Sequence, residues 1–146
     1  MKNKHVKTVI KKDIYTMKIE TISPKNLFEP IGPYNHIAKA GPFITISGTP
    51  GIDSKTSQMA GTDAYTQSKQ TVRNLRLMLE SVDASLEDIM HVHVFLTNVE
   101  DFKDMNRGYE EEFGSHCPSR TVICVADLPK KGALMTMNVT AYVDTK

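Results

Sequence analysis

The sequence predicts an α+β domain, one mixed β-sheet with two helices packed on one of its faces. Three observations carry this. Two stretches repeat apolar residues at helical spacing, and several short apolar runs are bounded by glycine, proline or polar residues. These elements follow one another in the order β, ββ, α, β, α, β, β, which a single sheet with a helical layer accommodates.

The first strand is read in "KIETIS", residues 18–23, and "SPKNLFEPIGPYNH" reads as a loop because of its prolines and glycine. In "HIAKAGPFITISG" two apolar runs flank Gly41-Pro42, a hairpin signal, and "PGIDSKTSQMAGT" follows as a polar loop. Residues 63–82 form the clearest helix. Val72, Leu75, Leu79 and Val82 fall on one face, and Thr62 or Asp63 is placed to cap its start. "ASLEDIMHVHVFLTNV" is a turn leading into a strand over 89–97. In "EDFKDMNRGYEEEFG" the residues Phe102, Met105, Tyr109 and Phe113 line an inner helix face, and Gly114 stops the helix. "RTVICVA" and "ALMTMNVTAYV" are the last two strands. Both carry apolar residues on both faces: Val122, Cys124 and Ala126 against Ile123 and Val125, and Met135 and Met137 against Leu134. With helices on one side only, the other side needs a cover, so the expectation is a homo-oligomer.

A chain of 146 residues, 40% hydrophobic and 24% charged, suits one domain that needs no disulfide or metal to fold. The net charge of +1 conceals an asymmetry. Residues 1–16 hold five lysines and one aspartate, leaving 13 basic and 16 acidic side chains for the remainder, a charge of −3. An acidic body speaks against nucleic acid as a partner. Residues 1–16 are read as a disordered basic N-terminal extension and 17–146 as the domain. No run of about 18 apolar residues exists, so no membrane partner is expected. The absence of a secretory signal and two cysteines without C-x-x-C spacing point to a cytoplasmic protein.

Several side chains are candidates for chemistry. Arg120 opens an apolar strand, where an unpaired guanidinium cannot be buried cheaply. Its planar fork takes either a ligand carboxylate or a structural partner such as Glu110 or Glu111. Tyr34 sits in a Gly-Pro turn that can present a phenol to a pocket, or packs as a surface residue. Ser47 ends a strand before glycine, as a ligand contact or a turn cap, and Asn106 is a mid-helix asparagine that propensity alone does not favour. His91 and His93 share a strand face at a spacing that suits a metal, with His36, His116 and Cys117 as the available further ligands. The alternative is two half-buried polar residues, and Cys124 reads as a small core residue.

The segments "IGPYNHIAKAGPFITISGTPGID" and "VFLTNVEDFKDMNRGYEEEFGSHCPSRTVICVADLPKKGAL" resemble the reactive-intermediate deaminases, the Rid or YjgF-like proteins also labelled endoribonuclease L-PSP. The resemblance runs from about residue 18 to 143. It implies a chorismate-mutase-like fold, three subunits whose sheets form a central barrel, and clefts between subunits. It also implies an enzyme without cofactor that hydrolyses 2-imino or enamine acids to 2-keto acids and ammonia. The family arginine falls on Arg120, which would hold the substrate carboxylate. Its tyrosine falls on Tyr34, its I-S-G serine on Ser47 and its helix asparagine on Asn106, while the backbone around Val122 helps hold the imine and water.

The chain departs from the family pattern at "MTM". Where the family has a glutamate between two apolar residues, thought to handle the attacking water, this chain has Thr136. A threonine exchanges hydrogen bonds but is no carboxylate base, and losing a general base commonly costs about 10²–10⁴ in rate. Thr121 after the arginine also differs. Asn138 or a helix acid is an alternative group for the water. Three readings follow: a deaminase, a small-carboxylate-binding or regulatory module with little turnover, and a ribonuclease, which the acidic body does not favour.

Overall fold

The computed structural model describes residues 17–144, so the basic stretch 1–16 lies outside the described residues. The elements are β1 (Glu20–Ile22), β2 (Ile37–Ala40), β3 (Phe43–Pro50), α1 (Ala64–Glu80), β4 (Ile89–Leu96), α2 (Phe102–Phe113), β5 (Ser119–Cys124) and β6 (Met135–Tyr142). They form the mixed sheet with two helices on one face that the sequence predicts.

The six strands run in the order β1-β2-β3-β6-β4-β5. Every pairing is antiparallel except β4 with β5, which α2 joins as a crossover. The last strand in sequence therefore inserts between β3 and β4 at the sheet's centre, and β5 forms one edge.

Alternation decides what β6 shows to each side. Met135, Met137, Val139 and Ala141 are buried beneath the helices, against Val72, Leu75, Met78 and Leu79 of α1. Asp63 caps α1 by accepting from Thr66 N at 2.8 Å, and Gly114 ends α2 at φ 63°. The helices meet where Gly108 removes a side chain: a Cβ there would stand 2.6 Å from the Tyr65 carbonyl oxygen. Ser68 Oγ donates to Met105 O at 2.8 Å across the same contact.

Two buried amides of α1 hold the chain that leads to the site. Gln67 donates to Gly61 O and Gly132 O and accepts from Leu134 N, fixing the approach to β6. Asn74 donates to Pro50 O and Ile52 O, fixing the exit from β3. Each buried polar group is partnered, so each constrains the backbone rather than destabilising it.

Four expectations need correction. The helix-free face of β6 is not apolar. It presents Thr136, Asn138, Thr140 and Tyr142, because Leu134 precedes the strand and both methionines face the core. The apolar side chains open on that sheet face come from elsewhere, among them Phe43, which packs edge-on against Tyr142 at 5.4 Å, and Ile123. Phe102 is 40% exposed rather than inward, since it begins α2 and points past the end of the core. Cys124 is exposed at the end of an edge strand. Finally, neither Glu110 nor Glu111 pairs with Arg120: Glu111 bonds Lys69 at 2.9 Å and Tyr65 Oη at 2.7 Å, in the lattice that ties α1 to α2.

Candidate functional site

The candidate residues fall into two groups. Arg120 anchors the first. It stands in register with Val92 of β4, which in turn pairs with Val139 of β6, and all three side chains share the helix-covered face. Its guanidinium carbon lies 4.8 Å from the Tyr109 ring centroid and 6.0 Å from that of Phe102. Among the described residues no carboxylate comes within 4.0 Å of it. Aromatic faces hold the cation in place at modest strength, roughly 0.5–2 kcal/mol, and leave its donor fork free.

Tyr109 and Asn106 lie one helical turn apart on α2. Both carry a buried polar atom with no hydrogen-bond partner, the Tyr109 hydroxyl and Asn106 Oδ1. Burial pushes the Tyr109 phenol up to about 12, against the pull of the Arg120 cation. The phenol is therefore protonated at neutral pH and keeps a donor available. Val122 follows on the same strand, half-buried against the core.

The second group surrounds a cavity of about 350 Å³ beside the start of β6. Phe28, Ile31, Ile52 and Leu128 supply apolar wall, and Tyr34, Thr136 and Lys130 supply the polar groups. His36 supports the loop that carries Tyr34. It is 1% exposed, its Nε2 lies 2.8 Å from the Phe28 carbonyl oxygen and so donates, and its ring stands edge-on to Phe28 and Tyr34. The Tyr34 hydroxyl accepts from Ile31 N at 3.4 Å, which leaves its own proton free.

Thr136 faces the side of the sheet opposite Arg120, in register with Phe95. Gly48 lies against it: a Cβ there would stand 3.2 Å from Thr136 Oγ1. Ser47 and Gly48 occupy a register irregularity between Ile46 and Thr49, which places them opposite Asn138. Ser47 Oγ and Asn138 Oδ1 are buried without partners. Of five such orphaned side-chain atoms among the described residues, four thus belong to Ser47, Asn138, Asn106 and Tyr109, and the fifth is Nδ1 of His36 behind Tyr34. Unsatisfied buried polar groups are destabilising, so their concentration here marks surfaces that a ligand or a second chain completes.

The chain thus brings Tyr34 together with Thr136 at one cavity, and Arg120 against Tyr109 of α2, the helix that also carries Asn106, but does not bring the two groups together. Tyr109 and Lys130 are not among the candidates that motif and spacing mark in the sequence. The periodicity of α2 places Tyr109 on the core face, and the need of a buried phenol for a hydrogen-bond partner is the signal that marks it. Lys130 lies in a loop whose fold alone turns it to the cavity.

His91 and His93 do share a face, with ring centroids 4.4 Å apart. His91 Nδ1 is 2.8 Å from Ser119 Oγ, and among the described residues no cluster of three metal-binding side chains forms.

Comparison with known proteins adds the following. Residues 24–143 match the family model described as Endoribonuclease L-PSP. A RutC family protein of Pyrococcus horikoshii is 38% identical over 123 residues, covering 84% of this chain and 97% of that protein. A protein of Dermatophagoides farinae named 2-iminobutanoate/2-iminopropanoate deaminase is 30% identical, covering 75% and 90% of the two chains. The crystal structure of Escherichia coli TdcF with bound serine superposes with a TM-score of 0.80 at 25% identity, covering 86% of this chain and 99% of that one.

Proposed function

The chain belongs to the Rid/YjgF-like family, that of the Endoribonuclease L-PSP model, and from this premise we propose that it hydrolyses 2-imino acids to 2-keto acids and ammonium. The observation that carries the proposal is Arg120. It is a guanidinium with an aromatic floor, a free fork and no acid partner among the described residues, a receptor for a carboxylate. The name of the Dermatophagoides relative and the serine bound to TdcF support the substrate class.

Arg120 and the Tyr34–Thr136 cavity lie on opposite faces of one sheet, so they meet only between chains. In the proposed homotrimer the β5 edge of one subunit brings Arg120, Asn106 and Val122 against the open sheet face of its neighbour, which contributes Tyr34, Ser47 and Thr136. The exposed Phe43 and Tyr142 on that face fit such a contact.

In this site Arg120 orients the substrate through two parallel bonds to the carboxylate. Water adds to C2 of the protonated imine and forms a C–O bond. One proton passes from the added water to nitrogen; the C–N bond then breaks as the remaining hydroxyl closes to the C=O bond, and the departing ammonia takes up the hydroxyl proton and leaves as ammonium. The iminium is already electrophilic, so orientation and proton transfer suffice. The Thr136 and Tyr34 hydroxyls are the groups that relay this proton. Unpaired Cys117 and Cys124 fit a reducing cytoplasmic setting.

A second reading, carboxylate binding with little turnover, is favoured by Thr136, which offers no carboxylate base. One experiment separates the two. A pyridoxal-phosphate serine or threonine dehydratase, coupled to this protein, releases the imine, and keto-acid formation is followed with time. Acceleration in proportion to added protein supports the deaminase. No acceleration, with 2-oxobutanoate still bound, supports the binding module.

A further inference from the structure

The cavity beside Thr136 contains one charged side chain, Lys130. Lys130 is half-buried, and among the described residues no carboxylate lies within 4.0 Å of its ammonium. The nearest acid in sequence, Asp127, is exposed and turns its carboxylate to Leu128 N at 2.8 Å. Around the same cavity, the Thr136 hydroxyl makes no hydrogen bond among the described residues and the Tyr34 hydroxyl only accepts one. Every polar side chain lining the cavity can therefore donate, and none is an anion. Such a donor set attracts negative charge, and its apolar wall strengthens the attraction by lowering the local dielectric.

No acid among the described residues lines the cavity, so the Lys130 cation is left for a ligand. We infer that Lys130 binds a second carboxylate, and that this protein acts on 2-imino dicarboxylic acids. This rests on the reading that Arg120 takes the carboxylate next to C2. Two cations without acid partners, one in each half of the site, then match a substrate that is anionic at both ends. The C2 chemistry is unchanged, and the side-chain carboxylate is a handle only.

The test is binding of two keto-acid products by calorimetry on the full chain, with 2-oxoglutarate as dicarboxylate and 2-oxobutanoate as monocarboxylate. Wild type is expected to prefer 2-oxoglutarate. Lys130→Met keeps the stem and removes the charge, and is expected to lower the ratio of the two affinities by about tenfold or more, while Lys130→Arg retains most of it. Circular dichroism and sedimentation of each variant establish that it folds and assembles as wild type does. A wild type that binds 2-oxobutanoate but not 2-oxoglutarate overturns the inference and leaves the deaminase reading standing. An unchanged ratio in Lys130→Met, meaning that only the lysine stem lines the cavity, overturns it too. Lys130-dependent binding of 2-oxoglutarate with no turnover of any imine upholds the second carboxylate site and removes the deaminase reading instead.

Discussion

Arg120 and Thr136 point from opposite faces of the same sheet: Arg120 lies with Val92 and Val139 under the helices, and Thr136 lies with Phe95 on the uncovered side. No side-chain rotation brings them together within one chain. A site using both requires two chains, and this makes assembly the first thing to measure. Sedimentation equilibrium at micromolar concentration is expected to give a trimer. A stable monomer that still deaminates would remove the shared site.

Arg120→Ala is expected to abolish deamination and weaken 2-oxobutanoate binding, while the melting temperature stays close to wild type, since the guanidinium makes no ion pair among the described residues. Arg120→Lys is expected to recover little, because an ammonium cannot reproduce the two-point fork. Normal turnover in Arg120→Ala would make the arginine a packing residue only.

Thr136→Glu places a carboxylate base in the cavity where the chain has only a hydroxyl. The rate of keto-acid release is expected to rise, by up to about 10²–10⁴ if the wild-type site lacks a general base. A slower variant would assign the water to another group, with Asn138 as the first to examine because its buried Oδ1 has no partner.

Tyr109 gives a pH-dependent expectation. Burial holds its phenol at about 12, above the ordinary 10. The folded chain therefore keeps the proton at a pH where the unfolded chain releases it. Stability from this group is fully present below pH 10 and is lost as pH rises towards 12. Tyr109→Phe is expected to lose less stability than wild type across that interval in thermal melts. Parallel curves would show that the phenol titrates as an ordinary tyrosine.

Gly108→Ala is expected to destabilise by about 1–3 kcal/mol, because its Cβ would stand 2.6 Å from a backbone oxygen of α1 and the helices must part. Urea unfolding measures this. A neutral effect would mean the α1–α2 contact is looser than the distances indicate.

The two helices, their caps at Asp63 and Gly114, the Gly41-Pro42 hairpin and the strand over 89–97 were all legible in the sequence, because each depends on periodicity or on one residue's local geometry. The identity of Arg120, Tyr34, Ser47 and Asn106 as candidates was legible too, from motif and resemblance. What only the tertiary structure decided is where these residues point. The insertion of β6 between β3 and β4 is a long-range pairing that no local pattern encodes, and it sets which face Thr136 occupies. The same pairing places both methionines of "MTM" in the core and leaves a hydroxyl- and amide-bearing face where an apolar one was expected. Lys130 and Tyr109 emerged only with the folded chain. A half-buried cation without a partner and a buried phenol without one are properties of neighbours distant in sequence, so they exist only once the sheet and helices have met.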